Sequence, residues 1–225
     1  MIKRLLIGIA GLAFLLVVGF VGMFTYVNYS AGKSLEAARV PASGQVLGST
    51  SADLTVVEFA DYTCAYCPVT HRNLMDAVTA EEDTKLVIRP LDWLAEFNPE
   101  SEEIARFVVA SGLQGKDAEL HNRIMNEPRI PGIARVKEIA KTLGVDVAKA
   151  ETDAKSQAVR DLLDENSDYA SSLGFRGIPA LVIGNRPYMP PGEEMPGVNE
   201  FRILIGEARE RLRQKSLSPS ETQEN

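Results

Sequence analysis

The chain has 225 residues, 45% hydrophobic and 24% charged, a balance that excludes both a disordered polymer and a multi-span membrane protein. Its 31 acidic and 24 basic side chains give a net charge of −7, which argues against nucleic acid or an anionic lipid surface as the main ligand, since both demand clustered Lys and Arg. Two cysteines are too few for a disulfide-stapled mini-fold or a four-thiolate iron–sulfur cluster.

Leu5 to Val27 is a run of 23 residues without a charge, polar only at Thr25 and Tyr26. As a helix it would span about 34 Å, against roughly 30 Å of hydrocarbon in a bilayer. That length predicts an uncleaved membrane anchor over residues 1–27; a cleaved signal is the alternative, with Ser30-Ala31-Gly32 as the nearest cleavage site. Lys3 and Arg4 on one flank face Lys33 and Arg39 on the other, so the charge bias that sets orientation is small. Gly8, Gly11, Gly19 and Gly22 form a small-residue stripe that would let two anchors pack, or simply reflect the abundance of Gly in membrane helices.

Residues 28–51, with Gly32, Pro41, Gly44 and Gly48, read as a tether. Leu54–Ala60, Lys85–Arg89 (stopped by Pro90) and Ala180–Ile183 (stopped by Gly184 and Asn185) read as strands. Between the last two, helical spacing recurs. Asn98-Pro99 opens a helix bearing Ile104, Phe107, Val108 and Ser111. Val136, Ile139, Ala140 and Leu143 mark a second, closed by Gly144, and one long charged helix is expected from Val147 to about Leu173, closed by Gly174. Phe201–Leu212 is a final amphipathic helix, and residues 215–225 form a polar tail. The predicted organisation is one α/β domain over residues 52–214, a small mixed sheet with a helical insertion at about 98–174.

Cys64-Ala65-Tyr66-Cys67 falls between the Leu54–Ala60 strand and a helical segment, His71–Val78. A helix N-terminus presents unpaired N–H groups and positive partial charge, which stabilise a thiolate on the first cysteine. Cys64 is therefore the candidate nucleophile, and Cys67, three residues on, the candidate resolving thiol. Two other readings stay open: a buried inert pair, and a zinc site that would need both cysteines with His71 and His121.

Residues Leu54–Cys67, with Leu143-Gly144-Val145 and Ala170–Ala180, resemble a bacterial DsbA-like thiol:disulfide oxidoreductase of the thioredoxin superfamily. The resemblance runs from about Gly44 to Arg213 and rests on the Cys-x-x-Cys turn joined to Gly177-Ile178-Pro179-Ala180. It implies a thioredoxin-like fold, a cis proline at Pro179 facing the cysteines, and a substrate-binding edge made by Ile178 and Pro179 with Ala65 and Tyr66. It also implies that Glu58, six residues before Cys64, is a buried acid moving protons for Cys67; burial in an apolar strand predicts a raised pKa. The alternative for Glu58 is an exposed strand position. His71, one turn after Cys67, is a possible modulator or a solvated helix residue, and Trp93 is expected to pack. Ala65-Tyr66 departs from the family's frequent proline-led dipeptide. Tyr188–Gly197, with Met189 and Met195 and three prolines, is either a peptide-contacting lip or an irregular loop.

The resulting expectation is an oxidoreductase on the outer, periplasmic side of a bacterial inner membrane, introducing disulfides into exported cysteine-containing proteins. It needs no cofactor beyond the Cys64–Cys67 disulfide and no metal, and its redox partner would be a quinone-linked membrane oxidase. The rivals are a tethered reductase or isomerase supplied by a membrane electron donor, and a non-catalytic peptide-binding chaperone.

Overall fold

The computed structural model describes residues 2–39, 46–48, 51–81, 83–192 and 194–217; within the first helix, the side chains at 2–10, 12, 13, 30, 31, 34, 37 and 38 lie outside that description. In chain order the elements are α1 (Ile2–Arg39), β1 (Val46–Gly48), β2 (Leu54–Ala60), α2 (Cys67–Thr79), β3 (Thr84–Pro90), α3 (Glu100–Gly112), α4 (Asp117–Met125), α5 (Ile133–Thr142), α6 (Val147–Asp153), α7 (Gln157–Ser172), β4 (Ala180–Ile183), β5 (Arg186–Tyr188) and α8 (Val198–Leu217).

The five strands form one mixed sheet in the order β1-β3-β2-β4-β5. Central β2 runs parallel to β3, with Val57 opposite Val87, and antiparallel to β4, with Glu58 opposite Leu181. All seven of its residues are buried, as befits a strand covered on both faces. Alternation then sorts its side chains. Leu54 and Val56 pack with Leu74 and Val78 of α2 and Phe201 and Ile205 of α8. Val57 and Phe59 point the other way, against Ala170 of α7, Phe175 and partly buried Leu35 of α1. Glu58 has the parity of Val56, so it faces α2.

Helices α3 to α7 lie between β3 and β4 and carry a core of their own, built on Ile104, Val108, Leu120, Ile124, Val136, Ile139 and Leu163. Tyr62, Cys64 and Cys67 belong to this core, so the cysteine turn sits where the sheet meets the insertion. Gly144 and Gly174 follow α5 and α7 at φ +81° and +85°, the left-handed conformation that ends a helix.

Among the described residues no helix is long and apolar enough to cross a membrane. The tether is not irregular throughout: α1 continues to Arg39, and Val46–Gly48 pairs antiparallel with β3; residues 40–45 lie outside the described residues. The expected Val147–Leu173 helix is two, because Ser156 caps α7 by accepting the Val159 N–H, and Arg106 holds the carbonyls of Ala154 and Ser156 in the break. Gly184-Asn185 does not merely stop β4 but turns it into the hairpin strand β5. Of the polar tail, Lys215–Leu217 are helical and residues 218–225 lie outside the described residues.

Candidate active site

The turn from β2 into α2 is built on Asp61. One of its carboxylate oxygens accepts the N–H and O–H of Thr63, both at 2.8 Å, and the other accepts the Ser101 hydroxyl at 2.6 Å and the Leu94 N–H at 3.0 Å. Asp61 thereby ties the cysteine turn to α3 and to the segment after β3. Cys67 is the first residue of α2, with Pro68 behind it in the first turn, where its missing N–H costs nothing. Ala65 and Tyr66 are exposed on the rim, whereas Cys64 is 4% and Cys67 0% exposed. Both are free thiols. Cys64 Sγ lies 3.9 Å from the Ile178 carbonyl oxygen, and the Ile178–Pro179 bond is cis.

The two thiols differ in charge. Cys64 is held below the ordinary thiol range, first by the Cys67 S–H donating to it and then by the Tyr66 and Cys67 N–H groups, against the opposing effect of burial. Cys67 is pushed well above that range by burial and by its bond to Cys64. Of the two, Cys64 is the thiol that ionises first.

Behind them, Glu58 is fully buried and its Oε2 accepts the Nδ1–H of His71 at 2.8 Å. The expected raised pKa is not found. Burial favours the neutral acid, but His71, with a smaller contribution from His121, outweighs it and lowers Glu58 to about 2. His71 is not solvated: burial disfavours its charge, Glu58 overrides that, and its pKa rises. Its Nε2 faces Asn122 Oδ1 at 3.1 Å. His121, pushed down to about 4 by burial, stacks edge-on against His71 and meets the Tyr62 hydroxyl through Nδ1 at 2.9 Å.

Glu58, His71 and His121 are the group among the described residues whose donor atoms lie within 4.8 Å of one another, and neither cysteine belongs to it. The four-ligand zinc arrangement is thus not brought together. The 2.8 Å contact of Glu58 with His71 is also shorter than the roughly 3.3 Å that separates two ligands on a tetrahedral ion, and a proton fits it.

Beside Ile178 a shallow groove of about 390 Å³ is lined by Trp93, Leu94, Phe97, Phe175 and Arg176, with Phe97 83% exposed. Trp93 is packed at its edge and donates its Nε1–H to Ser167 at 2.6 Å. A larger cavity, about 600 Å³, lies among α3, α5 and α6 and is lined by neither cysteine. The Tyr188–Gly197 segment is fastened to α2, where Thr70 donates to Met195 Sδ at 3.2 Å and Asn73 to the Pro196 carbonyl at 2.9 Å.

Residues 55–201 match the family model of the DSBA-like thioredoxin domain. The chain belongs to this DSBA-like family. A thioredoxin-like oxidoreductase from Silicibacter pomeroyi DSS-3 is 30% identical over 75% of this chain and 91% of that one, with a TM-score of 0.63. The catalytic domain of Proteus mirabilis ScsC (22% identity, 79% and 96% covered, TM-score 0.65) and Pseudomonas aeruginosa DsbA2 (23%, 80% and 99%, 0.58) share the fold. No curated protein matches the chain. DSBA-like enzymes are thiol:disulfide oxidoreductases that use a redox-active disulfide rather than an external cofactor and act on cysteine-containing substrates with redox partners. Asp61 and Tyr62 were not singled out in the sequence reading, and His121 was named there only as a ligand of the alternative zinc site. Asp61 alone had a local signal, an Asx-type turn residue followed by Thr63.

Proposed function

We propose that this chain is an oxidant among the DSBA-like enzymes, one that introduces disulfides into exported proteins through Cys64 and Cys67. The observation that carries the reading is the unequal setting of the two thiols: Cys64 just before the N-terminus of α2, where its pKa is lowered, and Cys67 wholly buried, where its pKa is raised. A stabilised Cys64 thiolate favours the reduced enzyme, and that makes its disulfide a stronger oxidant.

In this mechanism a client thiolate attacks Cys64 Sγ of the oxidised pair and Cys67 leaves. A second client thiolate then attacks the client sulfur of the mixed disulfide, releasing an oxidised client and the reduced enzyme. The Ile178 carbonyl beside Cys64 supports docking of the client backbone as an added strand, with Pro179, Ala65 and Tyr66 around it. Glu58 takes part in the proton traffic of Cys67. The same reading puts the domain on the periplasmic side of a bacterial inner membrane, anchored by Leu5–Val27 and reoxidised by a quinone-linked membrane oxidase. Support for the anchor is the uncharged run and the apolar side chains of α1 from Phe14 to Val27, which the rest of the chain leaves exposed.

The test is the reduction potential of the Cys64–Cys67 pair in the full-length chain, measured by glutathione equilibration. A value of about −120 to −180 mV is expected. A value near −270 mV replaces the oxidant with a reductase. In parallel, Cys64→Ser is expected to abolish exchange; a variant that keeps full activity in a client-folding assay leaves a peptide-binding chaperone.

A further inference from the structure

We propose that His71 is the proton donor to Cys67: when Cys67 leaves the disulfide as a thiolate, the proton it takes up comes from His71 by way of Glu58. This rests on the reading of Cys64 and Cys67 as the exchanging pair.

Cys67 is wholly buried, and a thiolate left there is strongly disfavoured, so its departure needs a proton from a neighbour. Glu58 has none of its own to give, because His71 keeps it ionised. Its two oxygens are unequally engaged. Oε2 takes the His71 Nδ1–H at 2.8 Å, while Oε1, also buried, has no hydrogen-bond partner. The far side of His71 reaches outward, its Nε2 3.1 Å from Asn122 Oδ1, and Asn122 is half-buried. His71 therefore bridges the core and the surface, and the Glu58 carboxylate is near enough to Cys67 to oppose its ionisation.

The other titratable groups around it do not compete. His121, on α4, has its Nε2 3.3 Å from His71 Nδ1 and 3.8 Å from Glu58 Oε2, and it is neutral at ordinary pH, so it has no proton in excess to give. Tyr62, in the turn after β2, is pushed well above its usual range by burial and by the Asp117, Glu58 and Asp61 carboxylates. Arg72 on α2 only opposes the charge of His71.

In the step, the client thiolate forms a bond to Cys64 Sγ, the Cys64–Cys67 bond breaks, and Cys67 departs with the electron pair. The Nδ1 proton of His71 passes to the Glu58 carboxyl, which delivers a proton to Cys67 Sγ. Glu58 is again an anion, His71 is neutral, and one S–H bond has formed. His71 then regains a proton from solvent on the Asn122 side, which restores the pair seen in the reduced chain.

The experiment is stopped-flow reduction of the oxidised full-length chain by dithiothreitol, with the rate expressed per attacking thiolate, from mildly acidic to mildly alkaline pH. In the wild type this rate is expected to fall as pH rises through the His71 pKa, above about 6.5, because the donor is lost. His71→Gln is expected to lose that fall and to run about tenfold or more slower at neutral pH. Glu58→Gln, whose amide still accepts from His71 but cannot relay a proton, is expected to do the same and stands in if His71→Gln does not fold. A variant that keeps the wild-type profile, or is slowed equally at every pH, overturns the assignment. A wild-type chain that exchanges no disulfide overturns the underlying reading with it.

Discussion

At the residue scale, the Glu58–His71 pair has a consequence for stability as well as chemistry. Glu58 ionises at about 2 in the folded chain against an ordinary 4.5, so its contribution is present above 4.5 and is lost as pH falls through about 2. His71 is shifted upward, so its contribution is present below 6.5 and is lost as pH rises through its folded value. The two windows overlap between 4.5 and 6.5. His71→Ala leaves the Glu58 carboxylate buried without its cation, and the expected loss is about 3–5 kcal/mol in that interval. Urea unfolding at a series of pH values should show the gap between wild type and variant narrowing on both sides. A gap independent of pH would mean that packing, not charge, is what His71 supplies.

At the element scale, legibility followed the strength of the local pattern. β2 and β4 have the bounds that the sequence indicates, because β-branched and aliphatic runs ended by turn residues leave little choice. β1 and β5 are three residues each, too short to carry an alternation, and exist because an exposed edge of β3 or β4 accepts them. The break between α6 and α7 is capped by Ser156 and braced by Arg106, fifty residues earlier in the chain, so half of its cause is invisible to a local reading. Ser156→Ala is expected to remove about 1 kcal/mol of stability, read by thermal unfolding. An unchanged midpoint would assign the break to Arg106 alone. The candidate site divides in the same way. Cys64 and Cys67 stand in one turn and were readable, as was Pro179 by resemblance. His121 reaches Tyr62 across 59 residues of sequence, and only the packing of α4 against the turn after β2 brings them together.

At the scale of the whole molecule, α1 joins two different environments. Leu35, near its end, packs against the sheet face formed by Val57 and Phe59, whereas Phe14 to Val27 are exposed. If Leu5–Val27 sits in a bilayer, the full-length chain should sediment with membranes and resist an alkaline carbonate wash. Deleting residues 1–27 should release it while leaving disulfide exchange intact, since Leu35 is kept. A full-length chain that stays in the supernatant excludes the anchor.

The order of the sheet has a bearing on how the enzyme comes into being. β2 pairs on one side with β3, which follows it closely, and on the other with β4, which arrives only after the whole insertion has been made. The carbonyl that lies against Cys64 is 114 residues further along the chain. During synthesis or passage across a membrane, the cysteine pair therefore emerges early, beside a half-built sheet with one open edge. Local helix contacts let the insertion collapse first, and the long-range β2–β4 pairing comes late. Until β4 docks, the nascent chain carries its two cysteines without the carbonyl that lies against Cys64 in the finished fold, so its thiols are open to oxidation before the molecule is complete.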